Sequence, residues 1–453
     1  MMRIEGAAFS VVGMGKSGLA AANLLARMGG DVLLSDGRDN AELRLQATER
    51  ADPKVHLAFG GETIRRGDVA ILSPGIPPSA TAFRDAYRLA SEVIGEVELF
   101  FRLFPGRILA VTGTDGKSTT TTLAAHLLNE AGIPAHPAGN LGNPLCDLIG
   151  SIADSDVVVA EVSCYQLLTT DRFRPCVALV TNLAEDHLEH HGSFAAYVAA
   201  KARVLLRQSH GDVFVRNLDD GLLANWLRPG DPWTSDNGQH VQDISRSGPV
   251  SDGAFLLDGG LFLAAGGHEQ RVASRAAFAL PGEHNTENVL LALAATAALG
   301  ATPEGLGRGL GTYRGLPHRI EKIRVLDGVT FYNDSKATNP HAAITGLRAF
   351  DRGVVLMAGG FEKGLALTDL AVEIEQRCKA VVLTGDCAPR MKREFPRAVP
   401  CEVVDDLESA VIRAWELARP DGIVLFSPAA SSFDRYSSFE QRGDCFRNLV
   451  NGL

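Results

Sequence analysis

Residues 107–128 read RILAVTGTDGKSTTTTLAAHLL. Ile108–Thr112 is a short apolar run, β-branched at Ile108, Val111 and Thr112, and reads as a buried strand. Gly113-Thr114-Asp115-Gly116-Lys117-Ser118 then turns sharply, and Thr119–Leu128 carries a helical apolar pattern. A strand, a glycine-rich turn and a helix N-terminus make a phosphate cradle, because backbone N–H groups and the positive end of the helix dipole face the anion. Lys117 would meet the β- and γ-phosphates, and the hydroxyl of Ser118 or Thr119 would bind Mg²⁺. The full P-loop pattern needs a glycine where Val111 stands, so the match is to a shortened G-T-x-G-K-S form. A chance lysine in an ordinary strand–turn–helix is the plainer reading. The order strand, Gly, Gly-Lys-Ser, helix argues against it.

Outward from this loop the chain reads as alternating strands and helices, which implies mainly parallel sheets with sites at the strand C-termini. The predicted fold is α/β in three domains. A Rossmann-like N-terminal domain covers 1–96, a P-loop central domain with a mainly parallel sheet 97–314, and a Rossmann-like C-terminal domain 315–453. Strands are expected at Ala7–Val12, Asp31–Ser35, Val69–Leu72, Val157–Ala160 and Val177–Thr181. Further strands are expected at Val329–Asn333, Gly353–Ala358, Ala380–Thr384 and Gly422–Phe426. Ala254–Leu257 and Leu261–Leu263 flank Asp258-Gly-Gly260 and predict a hairpin; 281–299 reads as an alanine-rich helix.

Gly13-Met-Gly15-Lys-Ser-Gly18 follows a strand, opens a helix, and is answered by Asp36 at the end of the next strand. Taken alone this is the dinucleotide fingerprint and suggests an NAD-dependent oxidoreductase. It guarantees only a diphosphate-sized anion, which a nucleotide sugar also carries. Arg38 would place a cation against a phosphate or stack on a base.

Polar clusters sit at further strand ends. Glu161, beside the P-loop strand, is where a carboxylate holds Mg²⁺. Asn182-Leu-Ala-Glu-Asp-His187 suggests metal or phosphate chemistry, although His187 would be an unusual Mg²⁺ ligand. Lys201 lies on an Ala-rich helix, and composition alone makes it a surface lysine. In the third unit Lys336, Lys363 and Ser432 fall at successive strand ends and would converge on a carboxylate-bearing substrate.

The 453 residues carry a net charge of −10, which argues against a nucleic-acid or polyanionic-membrane binder. The seven cysteines show no C-x-x-C pair and suit a reducing compartment. No apolar stretch approaches the roughly 18–20 residues of a membrane span, and the N-terminal residues do not read as a signal peptide. The expectation is a cytoplasmic enzyme.

The segments GTDGKST, EVSCYQL, NLAEDHLEHHGSFAAYVAAK, LPGEHNTEN, GLPHR, NDSKATNPHA, GGFEKG and SPAASSFDRYSSFEQRGD resemble, in that order, the ATP-dependent Mur ligases. The resemblance covers nearly the whole chain, and its last segments favour the D-glutamate-adding branch. It implies the substrates UDP-N-acetylmuramoyl-L-alanine, D-glutamate and ATP, two Mg²⁺ ions, and a monomer with no nucleic-acid or membrane partner. By position, Gly113, Thr114, Asp115, Gly116, Lys117, Ser118 and Thr119 would hold ATP phosphates. Asn285 and Asn288 would lie on the adenine side, with Arg319 and Asp334 as further ATP contacts. Ser118, Glu161 and His187 would ligate Mg²⁺, and Lys201 would be carbamylated to support a second ion. Gly15, Ser17, Arg38, Gly75, Asn140 and Ser163 would contact the UDP-sugar. Lys336, Thr338, Lys363, Ser432, Phe433 and Phe439 would form the glutamate pocket.

The chain departs from the family pattern at Asp115 (usually Asn), Cys164 (commonly Ser), Glu189 (usually Asp) and His190 (commonly Arg). The competing readings are a P-loop ATPase or kinase without ligation, a sibling ligase taking another amino acid such as L-glutamate, and a nucleotide-binding module or NAD enzyme.

Overall fold

A computed structural model describes residues 2–278, 280 and 282–453. Pro281, the first residue of the expected helix 281–299, lies outside them; the helix itself is Glu283–Ala298. Among the described residues the strands form three sheets. The first two belong to one compact unit and the third to another.

The first sheet has five parallel strands, in chain order Ala8–Val12, Asp31–Asp36, His56–Phe59, Val69–Leu72 and Glu92–Gly95, arranged 3-2-1-4-5. This is doubly-wound order, and it opens a crevice beyond the C-terminal end of the first strand. The helix Lys16–Arg27 begins there; its small residues Ala20, Ala21, Ala22 and Ala26 are buried. The strand His56–Phe59 was not foreseen, because none of its residues is fully buried and its apolar signal is weak.

The second sheet has nine strands: Arg107–Thr112, Ala135–Gly139, Val157–Glu161, Val177–Val180, Val213–Asn217, His240–Ser245, Gly253–Leu257, Gly260–Ala265 and His268–Ser274. Their spatial order is 9-8-7-6-5-4-1-3-2, with the expected antiparallel hairpin inside the last three. The phosphate-loop strand is central and buried from Ile108 to Thr112, as expected of a parallel strand covered on both faces. The helix Glu96–Leu103 follows the last strand of the first sheet directly. Its Glu98 is fully buried and accepts backbone N–H groups from Asp171, Arg172 and Phe173 while pairing with Arg102 at 2.7 Å. One apolar core runs from Phe9 and Leu25 through Phe100 to Val158 and Phe214.

The third sheet runs Glu321–Leu326, Val329–Asn333, Val354–Ala358, Cys378–Leu383, Cys401–Val403 and Ile423–Phe426, in the order 1-2-6-3-4-5. All pairs are parallel except the edge hairpin of the first two. Its strands show period-two alternation. Val354, Leu356 and Ala358 join a core with Ile344, Leu370 and Met391, whereas Val355 and Met357 join another with Val411, Ala414 and Phe446. Helices therefore cover both faces, and the polar loops collect at the strand ends.

Candidate active site

In the phosphate loop both glycines are required by conformation and by space. Gly113 has φ +138° and Gly116 φ +79°, a region that disfavours side chains. A Cβ on Gly113 would fall 1.9 Å from Thr181 Oγ1, and one on Gly116 2.3 Å from Asn288 Oδ1. Asn288 Oδ1 also accepts from Thr120 Oγ1 at 3.1 Å, so this asparagine is packed against the loop backbone. The Asp115 backbone is pinned at both ends: its N–H donates to Asn182 Oδ1 (2.9 Å) and its carbonyl accepts from Thr181 Oγ1 (2.5 Å). Lys117 Nζ donates to the Thr114 carbonyl at 2.6 Å. The helix Lys117–Glu130 begins at the lysine, so Ser118 and Thr119 lie in its first turn.

Glu161 ends the neighbouring strand and is 1 % exposed. Its Oε1 accepts from Asn140 Nδ2 at 2.9 Å, while its Oε2 is buried with no hydrogen-bond partner. Buried polar atoms are almost always paired, and an orphaned carboxylate oxygen beside a phosphate loop is what a cation site requires. Among the described residues no three His, Cys, Asp or Glu side chains converge as a metal cluster. Hydroxyl, water and phosphate oxygens would complete the shell, which suits Mg²⁺. Ser163, two residues on, caps the short helix Cys164–Leu167 in a reciprocal capping box with Gln166. His187 adopts φ +54° and lies with its ring 5.0 Å from Tyr165, on that same helix.

The reading of Lys201 as a surface lysine is overturned. It is 1 % exposed, its Nζ donates to the Gly113 carbonyl at 2.5 Å, and it lies 4.5 Å from the Tyr197 ring centre. The Tyr197 hydroxyl is 2.9 Å from Thr114 Oγ1. The helix Phe194–Ala202 thus presses both side chains against the phosphate loop. Burial, reinforced by the nearby Lys117 charge, pushes the Lys201 pKa down to about 7. Composition could not show this, because the partner carbonyl is far away in sequence.

In the first domain a cavity of about 470 Å³ is lined by Gly15, Lys16, Ser17, Asp36, Arg38 and Gly75, among others. Three glycines take three roles. Gly13 has φ +99° in the tight turn; a Cβ on Gly18 would strike the Gly13 carbonyl at 1.9 Å; a Cβ on Gly15 would meet nothing within 4 Å. The space over Gly15 suits close approach of a diphosphate to the backbone. Asp36 accepts from Met14 N–H, Arg38 N–H and two guanidinium nitrogens of Arg38, each at 2.9–3.0 Å. Those bonds, led by the Arg38 side chain, lower its pKa to about 2. With all four acceptor directions used, it has none left for a ribose hydroxyl.

In the third domain Asp334 is buried at a strand end, accepting from Ser427 Oγ (2.7 Å) and Ile320 N–H (3.3 Å). Burial raises its pKa to about 6, and the charge of Arg319 works the other way. His318 and Ile320, on either side of Arg319, have φ of +62° and +46°; for a β-branched isoleucine that is strained. Ser432 is buried, Phe433 is 67 % exposed, and Phe439 opens the helix Phe439–Gly452 with its ring edge-on to His318. A larger cavity of about 700 Å³ lies between this helix and Leu407–Ala418, but none of the strand-end loops lines it, so volume does not mark the site.

Family descriptions match three consecutive stretches: the Mur ligase MurD-like N-terminal domain at residues 7–95, the Mur ligase middle domain at 111–296, and the Mur ligase glutamate ligase domain at 318–430. A UDP-N-acetylmuramoylalanine–D-glutamate ligase from Pelotomaculum thermopropionicum is 37 % identical over 98 % of this chain and 97 % of its own. One from Geotalea uraniireducens is 36 % identical with the same coverage. The chain belongs to the Mur ligase family. Among solved structures, the Mur ligase MurC of Thermotoga maritima superposes with TM-score 0.58 at 18 % identity, covering 98 % of this chain and 99 % of that one. MurF from the same organism, in complex with ADP, gives 0.56 at 16 % over 99 % and 96 %. At such identity these show the shared fold.

Within this Mur ligase two organising residues escaped the sequence reading. Arg442 is 3 % exposed and donates to Ser335 Oγ, the Ser335 carbonyl and the Ala430 carbonyl, tying the Asn333–Asn339 loop to Ser427–Asp434. Lys16 lines the first-domain cavity and reaches the Gly142 carbonyl at 3.4 Å, two residues beyond Asn140. Arg442 meets Ser335 across 107 residues and Lys16 meets Gly142 across 126, so only the presence of a basic residue within each motif hints at them.

Proposed function

We propose that this protein is an ATP-dependent ligase that joins D-glutamate to UDP-N-acetylmuramoyl-L-alanine in the synthesis of peptidoglycan precursors. The observation that carries the reading is near-full-length identity of 36–37 % with ligases of that name. The phosphate loop, Glu161 and the buried Lys201 supply a site whose chemistry agrees with it. We assign 1–96 to the UDP-sugar, 97–314 to ATP and 315–453 to the incoming amino acid, acting as a cytoplasmic monomer. Among the described residues no helix is long and apolar enough to cross a membrane.

In this reading the alanine carboxylate attacks the γ-phosphorus, ADP leaves, and an acyl phosphate results. Lys117 turns from the Thr114 carbonyl to the moving phosphoryl group, and the N–H groups of the loop hold the phosphates. Mg²⁺, held through Glu161, Ser118 and His187, would offset charge on the phosphate oxygens. The glutamate amine then attacks the acyl carbon and phosphate departs; the amine's proton leaves to a phosphate oxygen, since a metal-held His187 has no lone pair free to take it. Lys336, Thr338, Lys363, Ser432, Phe433 and Phe439 would hold the amino acid.

Lys201 is assigned as a carbamate. The ammonium loses one proton, and the neutral amine then adds CO₂ and releases a second, which replaces a buried cation by an anion able to support a second Mg²⁺. Burial that disfavours the ammonium favours this step.

The test is phosphate release from ATP in the presence of UDP-N-acetylmuramoyl-L-alanine with D-glutamate, L-glutamate or neither. The reading expects release that requires D-glutamate. Turnover independent of any glutamate would make the protein a simple ATPase, and turnover with L-glutamate a sibling ligase.

A further inference from the structure

We infer that Arg390 is a positioning residue for glutamate recognition, acting through Lys363. The inference rests on the reading of Lys363 as a glutamate contact and deepens it.

Lys363 is exposed, in a loop without regular structure between the strand Val354–Ala358 and the helix Thr368–Arg377. A long exposed side chain can be aimed only through its backbone, and the backbone here is fixed from both sides. Before the lysine, Glu362 Oε1 accepts the Gly364 N–H at 2.6 Å, closing a tight ring around residue 363. Arg390 grips the same carboxylate with a fork, Nε to Oε2 at 2.8 Å and a terminal nitrogen to Oε1 at 3.0 Å. After the lysine, the same guanidinium donates to the Leu365 carbonyl at 3.1 Å. One planar cation therefore spans the loop on both sides of Lys363.

Arg390 is itself anchored. It lies on the helix Ala388–Glu394, whose Ala388 and Met391 are buried, and the N–H of the preceding Cys387 donates to the Gly360 carbonyl at 3.0 Å. Its remaining terminal nitrogen pairs with Glu394 at 3.1 Å. With its donors engaged by Glu362, Leu365 and Glu394, it is poorly placed to bind a substrate carboxylate itself. As a half-exposed ion pair it adds little to stability. Its geometry suits orientation, and a forked guanidinium holds direction where an ammonium holds only charge.

The experiment is steady-state kinetics of the full chain for Arg390→Ala, Arg390→Lys, Lys363→Ala and the double alanine variant. Arg390→Ala should raise the KM for D-glutamate about tenfold, leave kcat within about twofold, and leave the KM for ATP unchanged. Arg390→Lys should fall between, because it keeps the charge and loses the fork. The double variant should match Lys363→Ala alone, since Arg390 acts only through that lysine. Melting temperatures should stay within about 2 °C of wild type. An unchanged glutamate KM in Arg390→Ala, or additive losses in the double variant, overturns the inference. An unchanged glutamate KM in Lys363→Ala instead overturns the assignment of Lys363 on which it stands.

Discussion

Asp36 and Glu161 hold the same place in two different sheets. Each ends a parallel strand that pairs with the strand feeding a glycine-rich loop, and each is buried. Their hydrogen bonds differ. Asp36 has both oxygens filled by Arg38 and the Met14 N–H, and its pKa is held near the bottom of the carboxylate range, at about 2. Glu161 has one oxygen on Asn140 and one orphaned in the interior. A saturated carboxylate can only organise protein; a buried, half-satisfied one is costly unless a cation completes it. The loops differ in the same sense. Both loops close on their first glycine, Gly13 against Ser73 and Gly113 against Thr181, but Gly15 leaves open space for a ligand where Gly116 is closed against Asn288. A strand-end acid after a glycine-rich loop is thus two devices, and only the count of acceptors used separates them.

Glu161→Gln and Lys117→Ala should each lower kcat by about a hundredfold to a thousandfold with the fold intact by circular dichroism. Asp36→Asn should leave kcat within about threefold, because an organiser is not needed in the transition state. Near-normal turnover in Lys117→Ala would remove the phosphate cradle from the mechanism; a collapse in Asp36→Asn would erase the distinction between the two acids.

Lys201→Ala should be about a hundredfold slower. Formate or acetate should restore part of the loss by filling the vacated anion site. Loss without any rescue by small carboxylates would leave the ammonium, hydrogen-bonded to the Gly113 carbonyl, as the functional form.

The effects at the first loop should be smaller and confined to binding. Arg38→Ala should raise the KM for the UDP-sugar about tenfold without changing that for ATP. Gly15→Ala should do the same at unchanged melting temperature, since its φ of −72° is ordinary and its Cβ meets nothing. Gly113→Ala, at φ +138° with Thr181 Oγ1 at 1.9 Å, should destabilise the chain outright. Equal melting temperatures for the two alanine variants would show that these two positions do not differ in space or strain.

How far the sequence alone reaches follows the same divide between local pattern and distant contact. The strands Val157–Glu161 and Val177–Val180 are readable because, apart from the terminal Glu161, they are valine- and alanine-rich apolar runs buried on both faces. Ala135–Gly139, AHPAG, lacks β-branched residues and contains a proline, so nothing local marks it as the edge strand it is. The strand–turn–helix at residues 107–128 and the turn at Gly13–Gly18 are local patterns, and their backbone form is legible in the sequence. The burial of Lys201 is not, because its ammonium meets a carbonyl 88 residues away. Nor is the saturation of Asp36: Arg38 stands two residues on, but the Met14 N–H comes from the opposite side of the loop. The resemblance to Mur ligases named residues; only the geometry separates those with engaged side chains, such as Ser163 in its capping box, from those with an open valence, such as Glu161.

Asp334 is a third strand-end acid, and pH separates it from Asp36. Asp334 is moved the opposite way from Asp36: burial raises it from 3.8 to about 6. An acid whose folded pKa is raised adds stability below its unfolded pKa, and that stability fades as pH rises through the folded value. Stability from Asp334 should therefore fall between pH ~4 and ~6, by about 3 kcal/mol at most. Asp36, lowered to about 2, is ionised in both folded and unfolded states across that window and contributes no slope there. Its stability is lost only as pH drops from ~4 towards ~2. Glu96, buried and raised to about 7, adds a slope of the same sign as Asp334, so the wild-type curve alone cannot assign the effect. The difference between wild type and Asp334→Asn can. Asparagine keeps an acceptor for the Ser427 hydroxyl or the Ile320 N–H and has no charge to bury. Urea midpoints taken from pH 4 to pH 7 should fall more steeply for wild type than for Asp334→Asn. Parallel curves would mean that the Arg319 charge outweighs burial and holds Asp334 ionised throughout the window.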